Sequence, residues 1–563
     1  MNWYYTLLDA GAVLFCLIFL RYTWYRMRFF LHTYQQVGYK NNEYWQWLKS
    51  HWDEKVIPAN IAILNVFIFI FIWFDGWFND TFTYSSLAVF FFVISYFWFG
   101  PVSNYKPEKV KKPLVFTPRV IRLMVPFVLF CSFFPVLFTY LGFTGMLPFL
   151  DAQLPNYFSG LQRFDLTILI FGWAFGAMIV PFFVFIAGLL TKPVELYIQN
   201  GFKKQARRKL ASMPDLKVIA ITGSYGKTST KFMIRDLLKE RFNVCSTPGS
   251  YNTPMGICKV INNDLQSHHQ ILILEMGARY EGNIQELCDI AKPDISVVTN
   301  VGVAHLETFG SQDVIAREKG TLVDNLVAGD TAILNADDPR VSKMGVGRAE
   351  ITRILAGLNS GEIRGSNISY DTSGMEFDVD IDGETERFQT QLLGAHNAQN
   401  LLLAVSVGHH FGLRLKTMAL AAAKIEPVEH RLELKRQGDL FIIDDAFNSN
   451  PVGAKNAVEI LSQFNSGQRI IITPGMVELG DIEEEENRKF GETIGKANLD
   501  LVVLVGEQRA KPILEGIKNF DSNAMNVRVV NTLFEANELV QKHARSGDII
   551  LYENDLPDVY NEG

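Results

Sequence analysis

Cysteine is scarce, with 5 in 563 residues, and no two form a Cys-x-x-Cys pair. That excludes a disulfide framework and the common zinc modules, and leaves reduced, buried thiols as the default. Net positive charge is missing as well. The formal charge is −7, which argues against nucleic acid as a partner. No internal repeat is visible. The first apolar run, Tyr5–Leu20, has neither a basic start nor a small-residue cleavage site, so it does not read as a signal peptide.

Long apolar runs, by contrast, dominate the first 200 residues. Tyr5–Leu20, Ile57–Phe74, Tyr84–Phe99, Ile121–Phe143 and Leu166–Leu190 each approach the roughly 20 residues that cross a bilayer. Any one could be a buried core helix, but the series, flanked by Trp and Tyr, predicts a membrane domain over 1–200 with about five transmembrane helices. Basic residues fall in alternate loops: Arg21, Arg26, Arg28, Lys40, Lys49 and Lys55; then Lys106, Lys109, Lys111, Lys112 and Arg119; then Lys203, Lys204, Arg207, Arg208 and Lys209. The other loops hold Asp75 and Asp80, or Asp151 with Arg163. The positive-inside rule then predicts a multi-pass protein of the cell membrane, its N-terminus outside and everything after Lys192 cytoplasmic. The last basic group is read as a topology and lipid-headgroup feature.

The soluble remainder opens with an apolar strand, Val218–Thr222, that turns through Gly223, Ser224, Tyr225 and Gly226 into Lys227, Thr228 and Ser229. Such a loop aims backbone N–H groups at a polyphosphate, its lysine reaches the terminal phosphates, and its threonine can ligand Mg²⁺. Ile221 stands where the longer phosphate-loop pattern has glycine. The plainer alternative is a glycine turn followed by a surface lysine. The register of strand, Gly-x-x-Gly and Lys-Thr points to ATP.

Strand candidates Ile271–Glu275, Ile295–Thr299 and Thr331–Asn335 alternate with helical stretches, the mark of a parallel sheet with crossover helices. Ile368–Leu393 alternates polar with apolar around Asp382-Gly383 and reads as antiparallel hairpins. From Arg431 the rhythm restarts, with strands expected at Leu440–Asp444, Arg469–Thr473, Leu501–Val505, Val527–Val530 and Ile549–Tyr552. The fold class expected is therefore an α-helical transmembrane domain followed by α/β. It comprises a P-loop ATP-binding central domain over 211–429 and a Rossmann-like C-terminal domain over 430–563.

Further motifs fall at the strand ends: Glu275-Met276-Gly277-Ala278; Asn300 to Glu307, containing His305; Ala316 to Gly320, containing Lys319; Asn335 to Asp338; Gly394 to Asn400; His430-Arg431; and Asp444 to Pro451. With the phosphate loop, this ordered set resembles the Mur ligase family over roughly residues 215–555. The likeness is greatest to the member that adds D-alanyl-D-alanine.

The resemblance implies that Lys227 and the loop amides hold phosphates, and that Thr228, Glu275 and His305 serve Mg²⁺. Lys319 matches a lysine that many members carbamylate with CO₂. Asn400 matches an adenine-side amide, Arg431 a hinge arginine that reaches the γ-phosphate, and Asp445 a hinge acid near the ribose. Asn448 and Asn450 match the wall beside the incoming amine. Taken alone, Glu275 equally fits a helix cap, His305 a loop histidine and Lys319 a surface lysine in an ion pair. Arg431 with Asp445 fits an interdomain salt bridge, and Asn448 and Asn450 fit a turn before Pro451.

The implied activity is ATP-dependent amide formation through an acyl phosphate, joining an amino acid or dipeptide amine to a cell-envelope precursor with a free carboxylate. Three departures qualify it. No soluble domain that grips a nucleotide sugar precedes Leu216. Thr473-Pro474-Gly475 changes the start of a Met-x-Glu-Leu-Gly motif whose acidic sequel, Asp481–Glu486, reads as a helix N-terminus. Finally, Tyr552-Glu553-Asn554-Asp555 is acidic where close relatives are basic. The first departure suggests a lipid-linked donor presented at the cytosolic bilayer surface; a plain tether with soluble substrates is the alternative. Outside the ligases stand an ATP-driven membrane transporter or assembly factor, and a silent scaffold.

Overall fold

The computed structural model describes residues 2–56, 105, 114–144, 176, 178–303, 306–371, 374–427, 432–446, 449–464, 467–477, 479–520 and 525–554. Contacts divide the chain into two units, Met1–Ile198 and Gln199–Gly563.

In the first unit lie α1 (Asn2–Gln36), α2 (Asn41–Ser50), α3 (Pro118–Thr144) and most of α4 (Val180–Ala211). On α3 the apolar residues sort onto two faces. Val120, Leu123, Phe127 and Cys131 are buried, while Ile121, Val125, Leu129, Phe133, Val136 and Tyr140 are exposed at helical spacing. Among the described residues, two helices are long and apolar enough to cross a membrane, Pro118–Leu137 and Val180–Ala211. The runs at 57–74 and 84–99 lie outside the described residues, as does most of 166–177. One difference from the sequence reading concerns the first basic loop. Arg21, Arg26 and Arg28 sit on α1, which continues to Gln36. Arg26 is fully buried, donating to the Tyr22 and Tyr105 hydroxyls and to the carbonyls of Val56 and Met178. Those acceptors, with the faces of Phe30 and Tyr105, let a guanidinium stay inside.

The second unit begins with the end of α4. Ala206 is buried, Lys203 Nζ lies 2.7 Å from Glu286 Oε1, Arg207 Nε donates to Asp289 O at 2.6 Å, and Lys209 Nζ to Asn262 O at 3.0 Å. Part of the basic run read as a headgroup feature is thus engaged with the α/β body itself.

A nine-stranded sheet follows in the order β2-β3-β1-β4-β5-β6-β7-β8-β9. Its strands are β1 (Lys217–Thr222), β2 (Val244–Ser246), β3 (Ile271–Glu275), β4 (Ile295–Val298), β5 (Thr331–Asn335), β6 (Thr352–Gly357), β7 (Ile363–Asp371), β8 (Gly374–Ile381) and β9 (Glu384–Thr390). The first seven run parallel. Ile219 and Ile221 of β1 face α5 (Lys227–Leu238), α8 (Ala395–His410) and α9 (Leu415–Ala422). Val218 and Ala220 face the opposite layer, which includes α6 (Asn283–Ile290) and α7 (Gln312–Asp324). Cover on both faces is why β1, β3, β4 and β5 read as largely apolar runs. The hairpin strands β8 and β9 extend the same sheet antiparallel, turning at Asp382 (φ 54°) and Gly383 (φ 84°).

The second sheet has the order β10-β11-β15-β12-β13-β14: β10 (Glu433–Gln437), β11 (Leu440–Asp445), β12 (Arg469–Thr473), β13 (Leu501–Val505), β14 (Asn526–Val530) and β15 (Ile549–Glu553). Ile471, Val502, Leu504 and Leu551 pack on α10 (Pro451–Gln463), α11 (Glu483–Ala497) and α12 (Ala510–Lys518). Ile470, Ile472, Val503 and Ile550 pack on α13 (Leu533–His543). The last strand returns between β11 and β12, so the sheet is doubly wound with its ligand edge at the strand carboxyl ends.

Helices α11 and α12 cross so closely that a Cβ on Gly491 would run into the carbonyl of Ile513, and one on Gly516 into that of Arg488. Gly516→Ala should destabilise the C-terminal domain by about 3 kcal/mol, seen as a lowered denaturant midpoint. An unchanged midpoint would contradict this packing.

Candidate active site

Strand β1 ends at buried Thr222, and the chain turns through Gly223–Gly226 into α5. Gly226 is the N-cap in the left-handed region (φ 78°), and a Cβ there would lie 2.6 Å from Asn400 Oδ1. Only glycine meets both demands. The segment after β4 ties the loop down. Ser224 N donates to Asn300 O at 3.0 Å and Tyr225 N to Asn300 Oδ1 at 2.9 Å, while Thr299 Oγ1 donates to Tyr225 O at 2.6 Å. Gly302 N closes the set on Ser224 Oγ at 2.8 Å. The loop is preorganised at a helix N-terminus, the geometry that favours an anion. Lys227 Nζ lies over it, donating to Gly223 O at 2.7 Å and Ser224 O at 3.1 Å. Ser229 opens into a shallow cavity with Phe232, Met233, Leu392, Asn397 and Ile425.

Glu275, at the end of β3, is 1% exposed and is not a helix cap. Its Oε2 accepts from Thr228 Oγ1 at 2.9 Å and Lys231 Nζ at 3.4 Å, and its Oε1 from Asn252 Nδ2 at 3.1 Å. Lys231, wholly buried, also donates to Gly249 O. The sequence reading missed Lys231, although its i,i+4 spacing from Lys227 puts both on one face of α5. For Mg²⁺, the adjacent Thr228 hydroxyl and Glu275 carboxylate are the hard oxygen donors it prefers. Among the described residues no group of three or more His, Cys, Asp or Glu forms a metal cage.

Lys319, on α7, is not a surface lysine but is 4% exposed. Burial, reinforced by Lys227 and opposed by Glu318, brings its ammonium down to about 7. Glu318 itself accepts from Gly282 N at 2.8 Å and Ile284 N at 2.7 Å, satisfying the start of α6. Lys319 is therefore an amine substantially neutral at neutral pH beside the phosphate loop's lysine.

Asn400, on α8, is 4% exposed and makes no side-chain hydrogen bond among the described residues, leaving its amide available against Gly226. Asn397 is held by Leu393 O at 2.8 Å. Burial pushes the His396 imidazole down to about 4. Its Nδ1 accepts from Asn456 Nδ2 at 3.3 Å, linking α8 to α10.

Two further expected residues, Asp445 and Asn450, belong to the second sheet and its helices. Asp445 ends β11, and its Oδ1 accepts from the N–H of Leu432, whose φ of 48° is strained for leucine. Asn450 caps α10 by accepting from Gly453 N at 3.0 Å. His305, Arg431 and Asn448 lie outside the described residues.

The family model described as Mur ligase middle domain matches residues 221–408, and that described as Mur ligase, glutamate ligase domain, matches 430–552. The UDP-N-acetylmuramoyl-tripeptide--D-alanyl-D-alanine ligase of Mycobacterium tuberculosis is 32% identical over 360 residues, covering 60% of this chain and 70% of the relative. That of Bacillus subtilis is 29% identical over 342 residues, covering 60% and 72%. The solved MurF ligase from Thermotoga maritima in complex with ADP is 26% identical with a TM-score of 0.58, covering 65% of this chain and 82% of that one.

Lys231→Met leaves the Glu275 carboxylate buried without its ammonium partner. The expected loss is roughly 3–5 kcal/mol, measured by urea unfolding of the full chain. A loss near zero would mean that Thr228 and Asn252 suffice for that charge.

Proposed function

The chain belongs to the Mur ligase family, and on that premise we propose an ATP-dependent carbon–nitrogen ligase of peptidoglycan precursor synthesis that acts at the cytosolic membrane face. The observation that carries this reading is the convergence of Lys227, Thr228, Glu275 and Lys319 around one tied-down phosphate loop.

The donor carboxylate oxygen attacks the γ-phosphorus of ATP, giving an acyl phosphate and ADP. The acceptor nitrogen then attacks the carbonyl carbon, and phosphate leaves. Repulsion between carboxylate and ATP opposes the first step, and the loop amides of Gly223–Gly226 with Lys227 offset it. Thr228 and Glu275 would hold Mg²⁺, which supplies further positive charge when bound. The neutral Lys319 amine is the form that adds CO₂, losing a proton to become a carbamate. That turns a buried amine into an oxygen anion suited to a metal. The amide of Asn400 suits a purine edge, which asks for one donor and one acceptor. Arg431, Asp445, His305, Asn448 and Asn450 take the roles that the family likeness gives them.

The first unit is taken as a membrane domain. The exposed apolar stripe of α3 and the alternation of basic with acidic segments between the apolar runs support that placement, with the N-terminus outside and both catalytic domains cytoplasmic. A lipid-linked donor fits a ligase whose first 200 residues carry long apolar runs, and the partners are then a carboxylate-bearing envelope precursor, an amino acid or dipeptide amine, and membrane lipid.

Full-length protein in lipid nanodiscs with ATP, Mg²⁺ and bicarbonate, offered nucleotide-linked and lipid-linked precursors with an amine panel, should give a condensed mass on the lipid-linked species. Lys227→Ala should abolish it. Product on the nucleotide-linked species alone would reduce the first unit to a tether, and phosphate release without product would contradict the ligase. Removing CO₂ should lower turnover roughly ten-fold or more, and bicarbonate should restore it. A Lys319→Glu enzyme should be indifferent to bicarbonate; an equal response from both would rule out the carbamate.

A further inference from the structure

The carboxyl edge of the second sheet ends in an acid that none of the roles above uses. Glu553 closes β15, which lies between β11 and β12, and is 0% exposed. Both of its oxygens meet hydroxyls from the neighbouring strand ends. Oε2 accepts from Thr473 Oγ1 at 2.6 Å, and Oε1 bonds Ser449 Oγ. Thr473 Oγ1 also accepts from Gly475 N at 3.0 Å, so its one proton is committed to Glu553. The next residue locks both loops in place. Asn554 Nδ2 donates to Gly475 O at 2.5 Å, its Oδ1 accepts from Ser449 N at 3.3 Å, and its N donates to Asp445 O at 3.1 Å.

Ser449 differs from Thr473 in that it is half-buried rather than buried. It immediately precedes the α10 cap Asn450, in the segment that the ligase reading places beside the incoming amine. A hydroxyl has one proton and two lone pairs. When Glu553 is ionised, Ser449 donates inward to Oε1 and offers its lone pairs outward, where an ammonium N–H can donate to them.

We propose that Ser449 and Glu553 form a proton relay that deprotonates the acceptor amine. This rests on the ligase reading. An ammonium N–H bond breaks toward Ser449 Oγ as the Ser449 hydroxyl proton passes to Glu553 Oε1. Ser449 ends as a neutral hydroxyl, Glu553 as a carboxylic acid and the acceptor as a free amine. The amine forms the C–N bond, its second proton leaves with the departing phosphate, and Glu553 returns its proton to solvent through Ser449. Ser449 would touch the substrate; Glu553 acts through it.

The surroundings suit the task. Burial is the main cause lifting Glu553, the Ser449 and Thr473 hydroxyls oppose it, and the nearby Asp445 anion adds to it, so the carboxyl is held at about 7. Asp445, on β11, is the charged group facing it among the described residues; β12 contributes the neutral Thr473, and the segment before α10 the neutral Ser449. The relay needs the ionised form, so amine transfer should rise as pH climbs through about 7.

The test uses the full chain in nanodiscs with ATP, Mg²⁺ and UDP-N-acetylmuramoyl-tripeptide or its polyprenyl-diphosphate-linked form as donor. D-alanyl-D-alanine, an ammonium at neutral pH, is compared with hydroxylamine, which is uncharged there and traps acyl phosphates as hydroxamates. In both E553Q and S449A the ratio of D-alanyl-D-alanine to hydroxylamine rates should fall roughly 100-fold, and the rise of that ratio with pH near 7 should vanish. An unchanged ratio in both variants, or a loss in E553Q that is equal for both acceptors and absent from S449A, would overturn the relay and leave the ligase standing. No hydroxamate from the unsubstituted protein would overturn the ligase reading and the relay with it.

Discussion

The central domain depends on one buried carboxylate. Glu275 draws together the first two turns of α5 through Thr228 and Lys231, and the segment at Asn252, all from the end of a buried strand. An ion pair in such a place gives little net stability, because desolvating both charges costs about as much as their attraction returns. What it supplies is position. With the segment after β4 tied to the other side of the loop, the phosphate-binding amides are fixed before any ligand arrives. Preorganised dipoles of that kind do not have to reorient during reaction.

The same logic separates the two sheets. The first carries groups suited to polyphosphate: loop amides, Lys227, and a lysine whose burial keeps it near neutrality. The second carries an acid held near neutrality by burial and a half-buried hydroxyl that leads out from it. In the proposed reaction, activation of a carboxylate and deprotonation of an amine are opposite demands on local charge. Each would then fall to its own sheet edge, with His396 and Asn456 linking helices from the two.

Much of this was legible in the sequence, and for identifiable reasons. Strands β3, β5, β12 and β13 fall where the apolar runs placed them, because parallel strands covered on both faces have no polar side to interrupt the run. Strand β10 escaped notice because it is an edge strand written Glu-Leu-Lys-Arg-Gln, the charged style that discourages further pairing. Strand β2, three residues long, is too short to show a period. The phosphate loop could be read from spacing because glycine geometry is local. Lys231, Glu553 and the burial of Lys319 could not, because what makes each unusual is a neighbour distant in sequence. Arg26 is the same lesson in the first unit: basic composition suggested a loop, while aromatic hydroxyls and distant carbonyls hold it inside.

Ligation through an acyl phosphate requires that a carboxylate oxygen of the donor pass to phosphate. The direct measurement is to label the donor carboxylate with heavy oxygen and run the full-length enzyme through turnover with ATP and an amine acceptor. The mass of the released phosphate is then read. One label should transfer per phosphate, with a matching loss from the amide product. Unlabelled phosphate accompanying steady ATP consumption would mean that water, not a carboxylate, attacks the nucleotide, and would contradict ligation through an acyl phosphate.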